Sequence, residues 1–100
     1  MDHVPLSPAT RLRMNMLFAP ADLNDAELLL VEECGSNLTG KHTTPEGMER
    51  LRFAALKLSE GQIDRLCDAI QLAQTDWRDL LMCAGFGSPG AHLKWIPTKG

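Results

Sequence analysis

Apolar residues recur every three or four positions along most of this chain, and no stretch alternates apolar with polar residues long enough to predict a strand. The clearest apolar face consists of Ile63, Leu66, Cys67, Ile70 and Ala73. It follows Ser59-Glu60-Gly61-Gln62, which has the form of a capping box at a helix N-terminus. A helix is therefore predicted directly after this turn.

Three other helices are predicted from residues that start and stop helices. They cover about Asp25 to Cys34, Pro45 to Leu58, and Trp77 to Ala84. Asn24, Thr44 and the pair Thr75-Asp76 precede them as capping residues, with Pro45 at a first helical position. Gly35 follows one of these helices and predicts its end.

These four main helices predict an all-α fold, either a compact small bundle or an orthogonal array, with a short helical turn near Ala91 to Trp95. Residues 1–20 contain prolines at positions 5, 8 and 20 and lack a clean period. They are predicted to form a mobile arm, although part of Arg11 to Phe18 has a composition suited to packing. Residues 21–96 are predicted to form a single helical domain, and residues 97–100 a polar tail.

The composition is that of an ordinary folded protein, with 44% hydrophobic residues, 23% charged residues and a net charge of −3. The longest apolar run, Leu28 to Val31, is far shorter than the ~20 residues that cross a bilayer. The first residues, Met1 to Pro5, lack the basic start and apolar stretch of a secretion signal. A cytoplasmic location without membrane contact is expected.

The potential metal ligands do not form a recognisable pattern. The cysteines are Cys34, Cys67 and Cys83, and the histidines are His3, His42 and His92. No CxxC pair occurs, and no histidine stands at metal-ligand spacing from a cysteine or another histidine. Reduced thiols are expected, and no metal site or cofactor is predicted.

The helix predicted from Pro45 is apolar on two sides. Met48, Leu51, Ala55 and Leu58 share one face, whereas Phe53 and Leu56 point away from it. Either this helix is central and packs on both flanks, or Phe53 and Leu56 form an exposed patch that binds a partner. The two interpretations differ in the exposure of Phe53.

Two large aromatic residues near the C-terminal end are poorly explained by helix packing. Phe86 and Trp95 lie in a segment rich in glycine and proline, with His92 between them. We group Phe86, His92 and Trp95 with Phe53 and Leu56 as candidates for partner binding. The alternative is that the segment folds back as a lid over the core.

A polar cluster of Asp76, Arg78 and Asp79 surrounds Trp77. It is a second candidate site, although acids also favour a helix N-terminus and Arg78 is suited to an ion pair with a neighbouring helix. An enzyme would need carboxylates such as Asp64, Asp68 and Asp79 to converge in one pocket. No known catalytic motif occurs in the sequence, and no catalytic residue is predicted.

A nucleic-acid-binding regulator is the alternative from a different functional class. It would need Arg11, Arg13, Arg50, Arg52 and Lys57 to form one basic face. Residues 59–84 hold five acids and two bases, which is a poor composition for facing phosphates. Nucleic acid is therefore not the favoured partner.

Part of the chain resembles short bacterial proteins of unknown function. The similar residues are Glu49-Arg50-Leu51-Arg52-Phe53-Ala54-Ala55-Leu56-Lys57-Leu58, Thr75-Asp76-Trp77-Arg78-Asp79-Leu80-Leu81 and Ala84-Gly85-Phe86. The resemblance covers about half of the chain and implies a bacterial source and an intracellular setting, but no activity. The sequence therefore favours a small helical interaction module that binds another protein or itself.

Overall fold

The computed structural model describes residues 6–34, 45–87 and 90–97, with side chains from residue 47 onward in the second of these ranges. Four α-helices follow one another: α1 (Pro8–Leu17), α2 (Pro20–Glu33), α3 (Pro45–Ser59) and α4 (Ile63–Ala84). A short 3-10 helix, Ala91–Lys94, follows them. The predicted all-α fold is confirmed, with no strand within the described ranges.

Helix α1 replaces much of the predicted mobile arm. Ser7 caps it by accepting a hydrogen bond from the Thr10 backbone nitrogen at 3.2 Å. Met14 and Phe18 are buried in the core. The prediction of a mobile arm over residues 1–20 is corrected from Leu6 onward; residues 1–5 and the predicted tail at 98–100 lie outside the described residues.

Helix α2 begins five residues earlier than Asp25, because Pro20 occupies its first turn after the N-cap residue Ala19. Asn24 lies inside the helix and is exposed, so the predicted capping box at Asn24 is wrong. The stop signal at Gly35 and the cap at Thr44 lie in residues 35–44, outside the described part of the chain.

The third and fourth predicted helices form one helix, α4, with a break at Asp76. Its backbone there has φ −154° and ψ 88°, and its Oδ1 accepts a hydrogen bond from the Asp79 nitrogen at 3.2 Å. Asp76 therefore caps a second helical segment, as its type and position predicted.

The predicted capping box at the start of α4 does not form. Gln62, rather than Ser59, is the N-cap of α4, and it makes no side-chain capping bond. The Ser59 hydroxyl instead donates to the Leu56 carbonyl at 2.6 Å and accepts from the Gly61 nitrogen at 3.2 Å. Ser59 thus stabilises the end of α3 and the turn that follows it.

Helix α3 lies at the centre of the fold. It packs against α4, α1 and the 3-10 helix, and all six residues from Leu51 to Leu56 are buried. Burial on every side explains why its apolar residues are not confined to one stripe. The interpretation of this helix as central is therefore the one that the structure supports.

None of the described helices is both long and apolar enough to cross a membrane.

Candidate functional site

The structure brings four of the five predicted partner-binding residues into one aromatic cluster. The Phe53 ring lies 5.2 Å from the His92 ring and 6.2 Å from the Trp95 ring, centroid to centroid, in edge-to-face contacts. Phe86 lies 6.3 Å from His92 and 6.1 Å from Trp95. Such pairs stabilise a fold beyond their buried area.

This aromatic cluster lies inside the protein. Phe53, Leu56 and His92 are fully buried, Phe86 is 3% exposed, and only Trp95 is partly accessible. The exposed patch proposed at Phe53 and Leu56 is therefore absent, because both flanks of α3 are covered. The burial of Phe86 and His92 agrees with the lid interpretation, in which the C-terminal segment folds over the core.

Two cations lie over the rings of the cluster. The guanidinium carbon of Arg13 is 4.3 Å from the Phe53 centroid, and Lys57 Nζ is 5.0 Å from the Phe86 centroid. Cations at these distances are attracted to the negative face of the ring.

Arg13 and Lys57, together with Arg52, also donate hydrogen bonds to backbone carbonyls. Arg13 Nε donates to the Trp95 carbonyl at 3.0 Å, and Lys57 Nζ donates to the Ala84 carbonyl at the end of α4 at 2.8 Å. Arg52 Nε donates to the Cys34 carbonyl at 3.0 Å. A cation at a helix C-terminus also interacts favourably with the helix dipole.

The single basic face that a nucleic-acid regulator would need is not assembled. Arg13 and Arg52 are buried. Arg11 makes a two-pronged ion pair with Glu27 at 3.1 Å. Arg50 donates to the Phe86 carbonyl at 2.9 Å and to the Gly87 carbonyl at 2.7 Å. These side chains organise the fold instead of presenting a common surface to phosphates.

Ser7, Glu49 and His92 lie together beside the aromatic cluster. The Ser7 hydroxyl donates to Glu49 Oε2 at 2.5 Å, and His92 Nε2 lies 3.7 Å from Glu49 Oε1. A serine nucleophile needs a base that takes its proton, with the carboxylate behind that base. Here the carboxylate stands between serine and histidine, so the arrangement suits a structural link between chain segments.

Asp76 and Arg78 of the predicted polar cluster make contacts that have a structural role. Asp76 caps the helical segment that contains Asp79, and the Arg78 guanidinium carbon lies 5.2 Å from the Trp77 ring centroid. The three charged residues are exposed, and Arg78 lines a groove together with the tryptophan, whereas Asp76 and Asp79 do not line it.

The three candidate carboxylates of an enzyme do not converge. Asp64 precedes and Asp79 follows the break in α4 at Asp76, so the two acids lie on different helical segments. Asp68 lines a shallow groove with Arg65 and apolar side chains. These acids therefore share no site.

No group of three potential metal ligands occurs among the residues that the structure describes. His3 and His42 lie outside those residues. Burial raises the pKa of the Cys34 thiol to about 12, and the positive charge of Arg52 partly opposes this effect. Cys34 therefore stays protonated at neutral pH and is a poor nucleophile.

An open groove lies between α3 and α4. It has a volume of about 430 Å³ and is lined by Arg50, Trp77, Arg78, Leu81, Met82 and Gly87. Met82 is 71% exposed, more than any other large hydrophobic residue that the structure describes. We call this feature the Trp77 groove.

Sequence reasoning placed Arg78 in the candidate polar cluster and Arg50 in the candidate basic face, but it did not single out Met82. The sequence contains a partial indication that Met82 is exposed. Met82 follows Trp77 by five residues and falls outside the inward face of Leu80 and Leu81. The approach of Arg50 depends on the chain folding back after α4, which no local pattern reveals.

No protein-family model, no curated protein and no solved structure matches the sequence. The resemblance of residues 49–95 to short bacterial proteins therefore stays a prediction. What the fold defines is a class, a small all-α protein with a core built around one central helix.

Proposed function

We propose that this protein is a small protein-binding module and that the Trp77 groove is its binding surface. The observation that carries the proposal is the side-chain composition of the groove. Aromatic residues, methionine and arginine are the types enriched in protein interfaces, and all three line it.

The physical properties of these side chains explain why they suit binding. Trp77 offers a large, rigid surface, and tryptophan and arginine are frequent energetic centres of interfaces. Met82 offers a flexible, polarisable side chain that adapts to different partners. Burying Met82 under a partner would remove apolar surface from water and so favour association.

This binding surface differs from the one expected at Phe53 and Leu56, which lies inside the core. The class of function, binding to another protein or to itself, is the same. The proposed location changes to the groove formed by α3, α4 and Gly87.

A comparative pull-down from a lysate of the native host, run with and without nuclease, tests the proposal. The baits are the wild type, Met82→Glu and a matched control, Leu12→Glu, since Leu12 is also exposed but lies on α1. We expect specific proteins to co-purify with the wild type and the control and to be lost with Met82→Glu. Identical recovery on all three baits would show that the groove is not the binding surface, and recovery of nucleic acid without nuclease would favour the regulator.

A further inference from the structure

From the charges of the Trp77 groove, we infer that its occupant is helix α2 of a second copy of this chain. The contact would use the exposed stripe of α2 formed by Asp25, Leu28 and Glu32. This inference rests on the proposed binding function of the groove and specifies its partner.

The groove combines an apolar floor with positive charge. Trp77, Leu81 and Met82 supply the apolar surface, and among the residues that the structure describes Arg50 and Arg78 are the charged ones that line it. Two of the five N–H groups of Arg50 are used on the Phe86 and Gly87 carbonyls. The side chain of Arg78 is exposed. The groove therefore favours an apolar anchor that carries carboxylates on either side.

Helix α2 presents that combination on its outer surface. Asp25, Leu28 and Glu32 are separated by three and four residues and so lie on one face of the helix. All three are exposed, and Leu28 is 49% exposed. A leucine flanked by two carboxylates is thus complementary in type and charge to an apolar groove that two arginines line.

The other two carboxylates in this part of α2 are already engaged within the fold. Glu27 pairs with Arg11 of α1, and Glu33 accepts a hydrogen bond from Gln74 of α4 at 3.3 Å. In the described part of the chain, no side-chain hydrogen bond or ion pair involves Asp25 or Glu32. The stripe is available without any rearrangement of α2.

The buried residues of α2, Ala26 and Leu30, hold the helix on the core while the stripe faces outward. Because the stripe and the groove are different surfaces, a pair of copies joined by one such contact still has one groove and one stripe unused, and further copies can join head-to-tail. Association is therefore expected to grow with concentration and to weaken with salt, which screens the opposite charges.

The test uses two variants, each with one surface disabled. Arg78→Glu reverses a groove charge and keeps the stripe, whereas Leu28→Asp removes the apolar anchor and keeps the groove. Both positions are exposed, so the fold is retained, which circular dichroism checks. Leu12→Asp is the control for an exposed apolar position elsewhere.

Sedimentation velocity over a range of protein concentrations gives the result. We expect the wild type and Leu12→Asp to form species larger than the monomer, and each disabled variant alone to stay monomeric. An equimolar mixture of the two disabled variants should form a dimer and nothing larger, because only one functional groove and one functional stripe can meet.

A wild type that stays monomeric at every concentration overturns the inference, as does a mixture that stays monomeric or a disabled variant that still associates. These outcomes leave the proposed function testable by itself. If the wild type is monomeric but Met82→Glu still loses specific lysate proteins, the groove binds a different protein and only the self-association is wrong.

Discussion

The guanidinium of Arg13 lies face-on to the ring of Phe53, 4.3 Å from its centroid, in the interior of a 100-residue chain. Arg13 is only 5% exposed. Burying a charge is costly unless other groups replace its water. Around Arg13, the Phe53 ring and the carbonyls of Ala9 and Trp95 replace the water that the charge has lost. One side chain therefore joins α1, α3 and the C-terminal segment.

Replacement of this arginine should destabilise the protein strongly. Arg13→Ala removes hydrogen bonds from a charged donor and a cation–π contact, and we expect a loss of about 2–4 kcal/mol in the free energy of unfolding. Urea denaturation measures it. The control is Arg11→Ala, whose ion pair with Glu27 is half exposed and should contribute about 0.5 kcal/mol. Equal effects of the two changes would contradict a central role for Arg13.

Removal of the Trp95 side chain tests whether the C-terminal segment is a lid. Trp95 contacts Phe53 and Phe86 but is only partly buried. We expect Trp95→Ala to cost about 2 kcal/mol, or roughly 10 °C in melting temperature for a domain of this size. Calorimetry on Trp95→Ala and on the neighbouring exposed position, Ile96→Ala, gives the comparison. An unchanged melting temperature for Trp95→Ala would rule the lid out.

Gly61 and Gly85 offer a matched test of backbone strain and close approach. Both have positive φ, 82° and 78°, so alanine at either position should cost about 1–2 kcal/mol. At Gly61 a Cβ would also lie 2.5 Å from the Leu17 carbonyl oxygen, whereas at Gly85 the nearest atom is Lys57 Nζ at 3.9 Å.

We therefore expect Gly61→Ala to be the more destabilising of the two by about 2 kcal/mol, since the backbone at the end of α1 has to move. Chemical denaturation of both variants under identical conditions measures the difference. If the two variants were equally stable, the contact between this turn and α1 would be looser than the structure shows.

The buried thiol of Cys34 makes stability depend on alkaline pH. Its pKa is raised from 9.0 to about 12 by burial, so the unfolded state loses its proton at a lower pH than the folded state. The stabilising contribution is complete below pH 9 and is lost as pH rises toward 12.

Relative to Cys34→Ala, the wild type should lose about 2 kcal/mol between roughly pH 9 and 10.5. Denaturation curves of both proteins over this interval measure the loss. Subtracting the Cys34→Ala data removes the contribution of lysines and other groups that titrate in the same range. Parallel pH profiles for the two proteins would mean that the thiol is ionised equally easily in both states.

Local sequence signals predicted the parts of the fold that depend on local interactions. The helical restart at Asp76 follows from a side chain that accepts a hydrogen bond three residues away. Helix α1 was missed because its buried face includes Thr10 and Arg13, and a polar residue on the inner face weakens the hydrophobic period.

The candidate site was harder to predict because spacing does not show what covers a helix. The position of Phe53 off the main stripe of α3 fits burial on two sides and an exposed patch equally well. The Trp77 groove joins Arg50 to residues 77–87, and that contact is set by the packing of α3 on α4. Only tertiary structure brings these residues together.

The shared contacts of Glu49 have a consequence for chain topology. Ser7 and His92 stand near opposite ends of the described residues, yet both reach this one carboxylate. The chain that precedes α3 and the chain that follows it therefore both pack against this helix. A peptide bridge between the two ends would turn the chain into a ring, and because an unfolded ring has less entropy than an open chain, such a cyclised backbone would resist unfolding more strongly.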